Sequence, residues 1–202
     1  MLSQVAIADP DASVESLRAA HERVLASGAQ QERLIEALLT LARGQAGLDR
    51  REPADLAAIA GQAAATRQAQ ARSLGLRLRT ALGPASAQGS PGLVERLITN
   101  LLDNAITHNV MGGWVEVMTT AERGRGIVSV ANTGPVIPPA VVEELVRPFR
   151  QHDTDLGSQR EGVGLGLSIV AAIAEAHDAE MAICPRPGGG LRVQVSFREP
   201  AS

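Results

Sequence analysis

The sequence predicts an α+β fold: a two-layer sandwich in which helices cover one face of a single mixed sheet, preceded by a long α-helix. Three observations lead there. Apolar residues recur at helical spacing from Val14 to Ala42 and again through 91–109. Short alternating segments with strand character stand at 76–82, 114–120, 126–131, 181–184 and 191–197. The two kinds of segment do not alternate strictly along the chain, which favours α+β over a regular βαβ succession.

Taken in order, residues 1–8 (MLSQVAIA) are apolar but too short for a signal peptide and lack its basic flank, so they read as the stub of a helix. After the turn signal Asp9-Pro10-Asp11, Val14, Leu17, Val24, Leu34, Ile35, Leu38, Leu39 and Ala42 mark one long helix ending near Gly44 or Gly47. Its narrow apolar stripe suits a helical hairpin or dimeric bundle. Residues 44–53 (GQAGLDRREP) mix glycine, charge and proline without periodicity and place the domain boundary. Beyond it come an Ala-rich helix from Asp55 to about Ser73, a strand at 76–82 and a loop at 83–91. An amphipathic helix over 91–109 follows, then strands 114–120 and 126–131 joined as a hairpin. A short helix at 139–146, a polar loop, a helix at about 165–176 and strands at 181–184 and 191–197 complete the reading.

Composition narrows the function. With 202 residues and 45% hydrophobic content, the chain can build one packed domain and a smaller helical piece. A net charge of -3 gives no basic footprint, so nucleic acid is not an expected partner. The lone Cys184 rules out an internal disulfide and a cysteine metal cluster, and its thiol reads as a strand filler. No apolar run approaches the roughly 20 residues a membrane-spanning helix needs.

Three blocks carry chemistry. In 95–104 (ERLITNLLDN), Glu95, Asn100 and Asn104 are expected near one another on the helix, and the four-residue spacing puts the two carboxamides on one face. Two neutral oxygens there suit a hard cation such as Mg²⁺, which borrows its remaining charge from phosphates. The block 128–137 (VSVANTGPVI) runs a strand into Asn132, Thr133 and Gly134 and ends at Ile137; a polar side chain at such a strand end can read a base edge. In 162–170 (GVGLGLSIV), three alternating glycines open a helix, so that backbone N–H groups and the positive helix end can face phosphate oxygens. The spacing is neither that of a dinucleotide fingerprint nor that of a Walker loop.

In this order, the blocks resemble the N, G1 and G2 boxes of the ATPase fold shared by histidine kinases, gyrase, Hsp90 and MutL, over about 53–197. Residues 145–150 (LVRPFR) look like the F box of histidine kinases, and Gly188 to Gly190 like the usual final turn. Upstream, 32–43 (ERLIEALLTLAR) resembles the second helix of the dimerisation and phosphotransfer hairpin of these kinases. The expected domains are therefore 1–50, a partial hairpin, and 51–202, the ATP-binding catalytic domain. The family's phosphoacceptor motif, His-Glu-Leu-Arg-Thr-Pro, has no match here. His21 sits mid-helix without the rest of that motif, and His152 and His177 read as solvated polar residues.

The resemblance implies the following roles. Asn104, with Asn100 beside it, holds Mg²⁺ against the phosphates of ATP, and Glu95 acts as general base towards the attacking imidazole. Asn132, Gly134 and Ile137 form the base site, while Gly162, Gly164, Leu165, Gly166 and Leu167 border the phosphates. Residues 149–161 form the ATP lid, starting at Phe149 and carrying Arg150 and Arg160. Three positions depart from the family pattern. Asn132 replaces an aspartate that accepts from the adenine amine, although its amide oxygen can still accept. Val136 replaces a glycine, requires ordinary backbone angles and is expected to narrow the pocket. Thr107 replaces a basic residue, leaving His108, Arg150 and Arg160 as substitutes.

The expected function is transfer of the ATP γ-phosphoryl group to a histidine outside this chain, for relay to a response regulator, in a protein that dimerises through the hairpin. This segment is expected in the cytoplasm and the intact protein at a membrane. The chain is expected to bind nucleotide without phosphorylating itself. Two alternatives stand beside it: a catalytically degenerate module acting in dimerisation or regulation, and an anti-sigma-factor type of Ser/Thr kinase.

Overall fold

The computed structural model of the chain describes residues 52–138, 145 and 166–200. The long helix expected after Asp11 and ending near Gly44 or Gly47, the short helix at 139–146 apart from residue 145, and the lid lie outside the described residues.

A short strand β1 (Glu52–Asp55) leads into α1 (Leu56–Ser73), whose first turn is capped by the Asp55 carboxylate accepting from the Ala58 N–H at 3.0 Å. The helix stops at Leu74 and Gly75, where a φ of +70° needs glycine. Next come β2 (Arg77–Leu82), β3 (Ser86–Gly89) and α2 (Pro91–Thr107), the last with proline in its first turn. Strands β4 (Trp114–Glu122) and β5 (Arg125–Asn132) form the expected hairpin. Its two-residue loop, Arg123 and Gly124, has φ of 54° and 73°, the left-handed pair that matches the twist of the flanking strands. Helix α3 (Gly166–Ala176) and strands β6 (Glu180–Pro185) and β7 (Leu191–Arg198) close the sequence of elements.

The main sheet has the order β2-β4-β5-β7-β6, with β2 parallel to β4 and every other pair antiparallel, so it is mixed as expected. Its inner face is read off the alternation. Val115, Val117, Val128, Val130, Val193 and Val195 are buried, whereas Glu116 and Ser129 between them are half-buried and Met118 is exposed. The helices cover that inner face with Leu97, Ile98, Leu101 and Leu102 of α2 and Ile169 and Ile173 of α3. All of these are at most 2% exposed, and each contributes about 1.5–3 kcal/mol by leaving water. Arg67 of α1 grips Asp103 of α2 through two bonds of 2.5 and 3.1 Å, fixing the rotation of α2 about its axis.

The structure corrects three expectations. Residues 83–91 are not all loop, because β3 pairs antiparallel with β1 in a separate two-stranded sheet. Four small or polar residues (SAQG) carry no alternation, and their partner β1 straddles the end of the stretch read as linker. His177 is not solvated; it is 1% exposed. Its Nε2 accepts from the Ser90 N–H at 3.0 Å, which leaves Nδ1 to donate to the Ile173 carbonyl at 2.7 Å. Phe197 meets the ring edge-on at 5.8 Å. The space for this ring exists because residue 89 is glycine: a Cβ there would overlap the imidazole. Cys184 lies exposed on the edge strand β6 and fills no core space. Among the described residues, no helix is long and apolar enough to cross a membrane.

Candidate functional site

Helix α2 carries a polar strip along one side. Asn100, Asn104 and Thr107 lie on it, each half-buried, at spacings of four and three residues. The Asn100 amide nitrogen donates back to the Arg96 carbonyl at 2.8 Å, so its oxygen remains available. The Asn104 carboxamide makes no hydrogen bond among the described residues. Glu95 is exposed, and in an unbroken helix it stands about 140° round the axis from Asn100 and about 180° from Asn104. The shared face expected for all three residues therefore holds only for the two carboxamides.

Opposite this face, α3 begins at Gly166. A Cβ built on Gly166 would lie 3.9 Å from the Asn104 Oδ1 and Cβ and 3.9 Å from the Asn100 carbonyl. The helix start thus opens directly onto the carboxamide. The first N–H groups of a helix have no partners within it, so an amide oxygen and helix-end backbone donors border the same gap. Leu167, expected at the phosphates, is 5% exposed and packs into the core, so only its backbone can face the gap.

The third side is the end of β5. Asn132 is 7% exposed; its amide nitrogen donates to the Thr133 carbonyl at 2.7 Å, leaving Oδ1 as the acceptor. Gly134 lies hard against the end of α2, since a Cβ there would come within 2.9 Å of the His108 carbonyl. Val136, expected to narrow the pocket, is 74% exposed, and Ile137 is half-buried. Thr107 ends α2, and His108 caps it with an exposed side chain. Phe149, Arg150, Arg160, Gly162, Gly164 and Leu165 lie outside the described residues.

One buried polar cluster escaped the sequence reading, which extended the helix through Asn109. That residue is 3% exposed and donates to the Ala105 and Trp114 carbonyls at 3.0 and 3.1 Å. Its oxygen accepts from the Val110 N–H at 2.9 Å and from the Thr133 hydroxyl at 2.7 Å, while Thr133 accepts from the Trp114 N–H at 2.8 Å. The latch joins the end of α2 to the start of β4 and the end of β5. The available signal was the Asn-Val-Met-Gly-Gly stretch after the last helical leucine, a turn composition.

These features fit a nucleotide. An acceptor sits at a strand end, glycine admits close approach beside it, and an amide oxygen faces a helix start. Among the described residues, no group of three or more His, Cys, Asp or Glu side chains that could hold a metal ion occurs. The family model for the histidine kinase-, DNA gyrase B-, and HSP90-like ATPase matches residues 89–201. The chain belongs to this family.

Within the family, its similarities point to sensor kinases. It is 43% identical to the sensor protein CutS of Streptomyces coelicolor over 197 residues, 97% of this chain and 47% of that protein. It is 30% identical to the probable sensor histidine kinase TcrY of Mycobacterium tuberculosis over 181 residues, 89% of this chain and 37% of that one. The chain spans about half the length or less of these curated relatives. Among solved structures, the Acinetobacter baumannii histidine kinase AdeS matches with a TM-score of 0.73 and 17% identity, covering 99% of this chain and 92% of that one. Full-length ShkA in complex with AMPPNP matches with a TM-score of 0.72 and 23% identity, covering 94% of this chain and 40% of that one. At such identities the structural likeness shows the fold alone; the family match and the likeness to CutS and TcrY carry the reading as the ATP-binding domain of a sensor kinase.

Proposed function

We propose that this domain binds ATP with Mg²⁺ in the gap between α2 and the start of α3 and transfers the γ-phosphoryl group to a histidine of the intact kinase, from which an aspartate of a response regulator receives it. The observation that carries this reading is the unengaged Asn104 carboxamide facing Gly166 at the opening of α3. A neutral oxygen ligand beside helix-end N–H groups suits a cation that brings its own phosphates.

In this reading, Asn104 Oδ1 is the Mg²⁺ ligand, and the free Asn100 oxygen lies beside the same phosphates. Asn132 Oδ1 accepts from the adenine amine, Gly134 lets the base approach the backbone, and Ile137 and Thr107 border it. Gly162, Gly164, Leu165, Gly166 and the Leu167 backbone line the phosphates. Phe149, Arg150, Arg160 and His108 complete the lid side. Bound Mg²⁺ would neutralise charge on the phosphate oxygens during transfer. The chain itself contributes positioning: two helices hold the triphosphate in line, and the strand end fixes the base. Glu95, on the far side of α2, is no part of the phosphate site; a base role would require the acceptor histidine to approach it from outside.

ShkA with its bound ATP analogue, similar in fold, supports the nucleotide assignment. The degenerate alternative loses support because Asn132 keeps its acceptor. Residues 1–50 are read as part of a hairpin through which the intact protein dimerises, and that protein as anchored at a membrane with this segment in the cytoplasm. The test is to mix the chain with the histidine-bearing hairpin of its own kinase and γ-labelled ATP. Acid-labile, base-stable label on the hairpin is expected; label on serine, threonine or nothing contradicts the reading.

A further inference from the structure

Behind the base site, on the opposite face of the sheet, stands a clamp that the nucleotide reading does not use. By alternation along β4 and β5, Trp114 lies on the face away from the helices, whereas the Asn132 side chain lies on the helix face. Arg186, in the turn between β6 and β7, stacks its guanidinium 4.4 Å from the centre of the Trp114 ring. From there one nitrogen, Nη1, donates to two carbonyls, Asn132 and Gly189, at 3.2 Å each. The Asn132 peptide is thus held from behind while its carboxamide looks forward into the pocket. The same turn is interlocked with the segment after Asn132. The Gly190 N–H donates to the Pro135 carbonyl at 2.9 Å, and a Cβ at Gly190 would overlap the Asn132 carbonyl.

We propose that Arg186 is a positioning residue for nucleotide recognition: by gripping the Asn132 carbonyl from the Trp114 face, it fixes the direction of the Asn132 amide oxygen and so sets discrimination between adenine and guanine. The chemistry follows from the acceptor. Asn132 Oδ1 attracts the 6-amino group of adenine and repels the 6-oxo group of guanine, but only while the carboxamide keeps its orientation. Unlike an aspartate, whose two oxygens are equivalent, an asparagine that swivels presents its donor and inverts the preference. An asparagine at this position therefore needs a fixed peptide, and the planar guanidinium of Arg186, stacked on a ring and bonded through Nη1 to the Asn132 carbonyl, supplies it. The inference rests on the nucleotide reading above.

The experiment measures binding of AMPPNP and GMPPNP, each with Mg²⁺, to the whole chain and to Arg186→Ala and Arg186→Lys by calorimetry, together with thermal unfolding without nucleotide. The emission of Trp114, the single tryptophan, reports the stack. In Arg186→Ala, AMPPNP is expected to bind about tenfold more weakly, as for a lost charged hydrogen bond, with a much smaller ratio of adenine to guanine affinity and altered Trp114 emission. Arg186→Lys keeps a cation near the ring but not the planar guanidinium that aims Nη1 at the Asn132 carbonyl, so its emission should stay near wild type while the ratio falls. An unchanged adenine-to-guanine ratio in both variants overturns the proposal, including the case in which affinity falls only in step with the unfolding temperature. If the unsubstituted chain binds neither nucleotide, the base-site reading itself fails and takes this inference with it. If it binds AMPPNP and Arg186→Ala binds both nucleotides identically to it, the inference alone fails.

Discussion

Asn104 and Gly166 face each other across the seam between α2 and α3, so closely that a Cβ on the glycine would stand 3.9 Å from the asparagine oxygen. That distance is ordinary van der Waals contact, which gives the position a graded response. Gly166→Ala should leave both fold and binding nearly intact. Gly166→Val places branches over the carboxamide at a half-buried helix start. It should weaken ATP binding by at least about tenfold while unfolding within about 1 kcal/mol of wild type. Parallel calorimetry and urea titration check this.

The Asn109 latch is structural and should act on stability. It satisfies two carbonyls, one N–H and the Thr133 hydroxyl inside the protein. Asn109→Ala takes the side-chain partner from the Ala105 carbonyl and the Val110 N–H, while the Trp114 carbonyl keeps the Thr133 N–H at 3.0 Å, and should cost about 1–3 kcal/mol, read from denaturant midpoints at unchanged slope.

Gly89 and His177 form a second test of packing. The imidazole occupies the space where a Cβ at residue 89 would sit. Gly89→Ala should destabilise by about 1–3 kcal/mol, because a buried ring flanked by Phe197 and two hydrogen bonds has little room to retreat. In a double-mutant cycle with His177→Ala, the two losses should add to less than their sum.

Glu95 should separate binding from transfer. It is exposed and round the helix from the carboxamides, so Glu95→Gln should leave ATP affinity within about twofold of wild type. A drop in labelling of the histidine hairpin at unchanged affinity would place Glu95 at the acceptor.

What the sequence disclosed and what it hid have physical causes. The α2 pattern was legible because its leucines repeat at helical spacing over 17 residues, and the sheet because its valines alternate. The site was legible where the chain itself orders the residues, as with Asn100 and Asn104, one turn apart. Glu95 was misplaced by overlooking the 100° step between neighbours, about 140° over five residues. Strands β1 and β3 were invisible because pairing, not composition, makes them. His177 was hidden because its burial depends on Gly89, 88 positions earlier, leaving the ring room. Arg186 and Trp114 meet only through the sheet order, which places the β6–β7 turn beside the end of β5.

The central claim is that the α2 carboxamide and the opening of α3 form one Mg²⁺-nucleotide site. It is tested most directly by titrating the whole chain and its Asn104→Ala variant with a non-hydrolysable ATP analogue, with and without Mg²⁺. The account predicts saturable one-to-one binding that strengthens with Mg²⁺ in the unsubstituted chain and loses that Mg²⁺ dependence in the variant. Binding that Asn104→Ala leaves unchanged with Mg²⁺ present, or no binding at all, would contradict it.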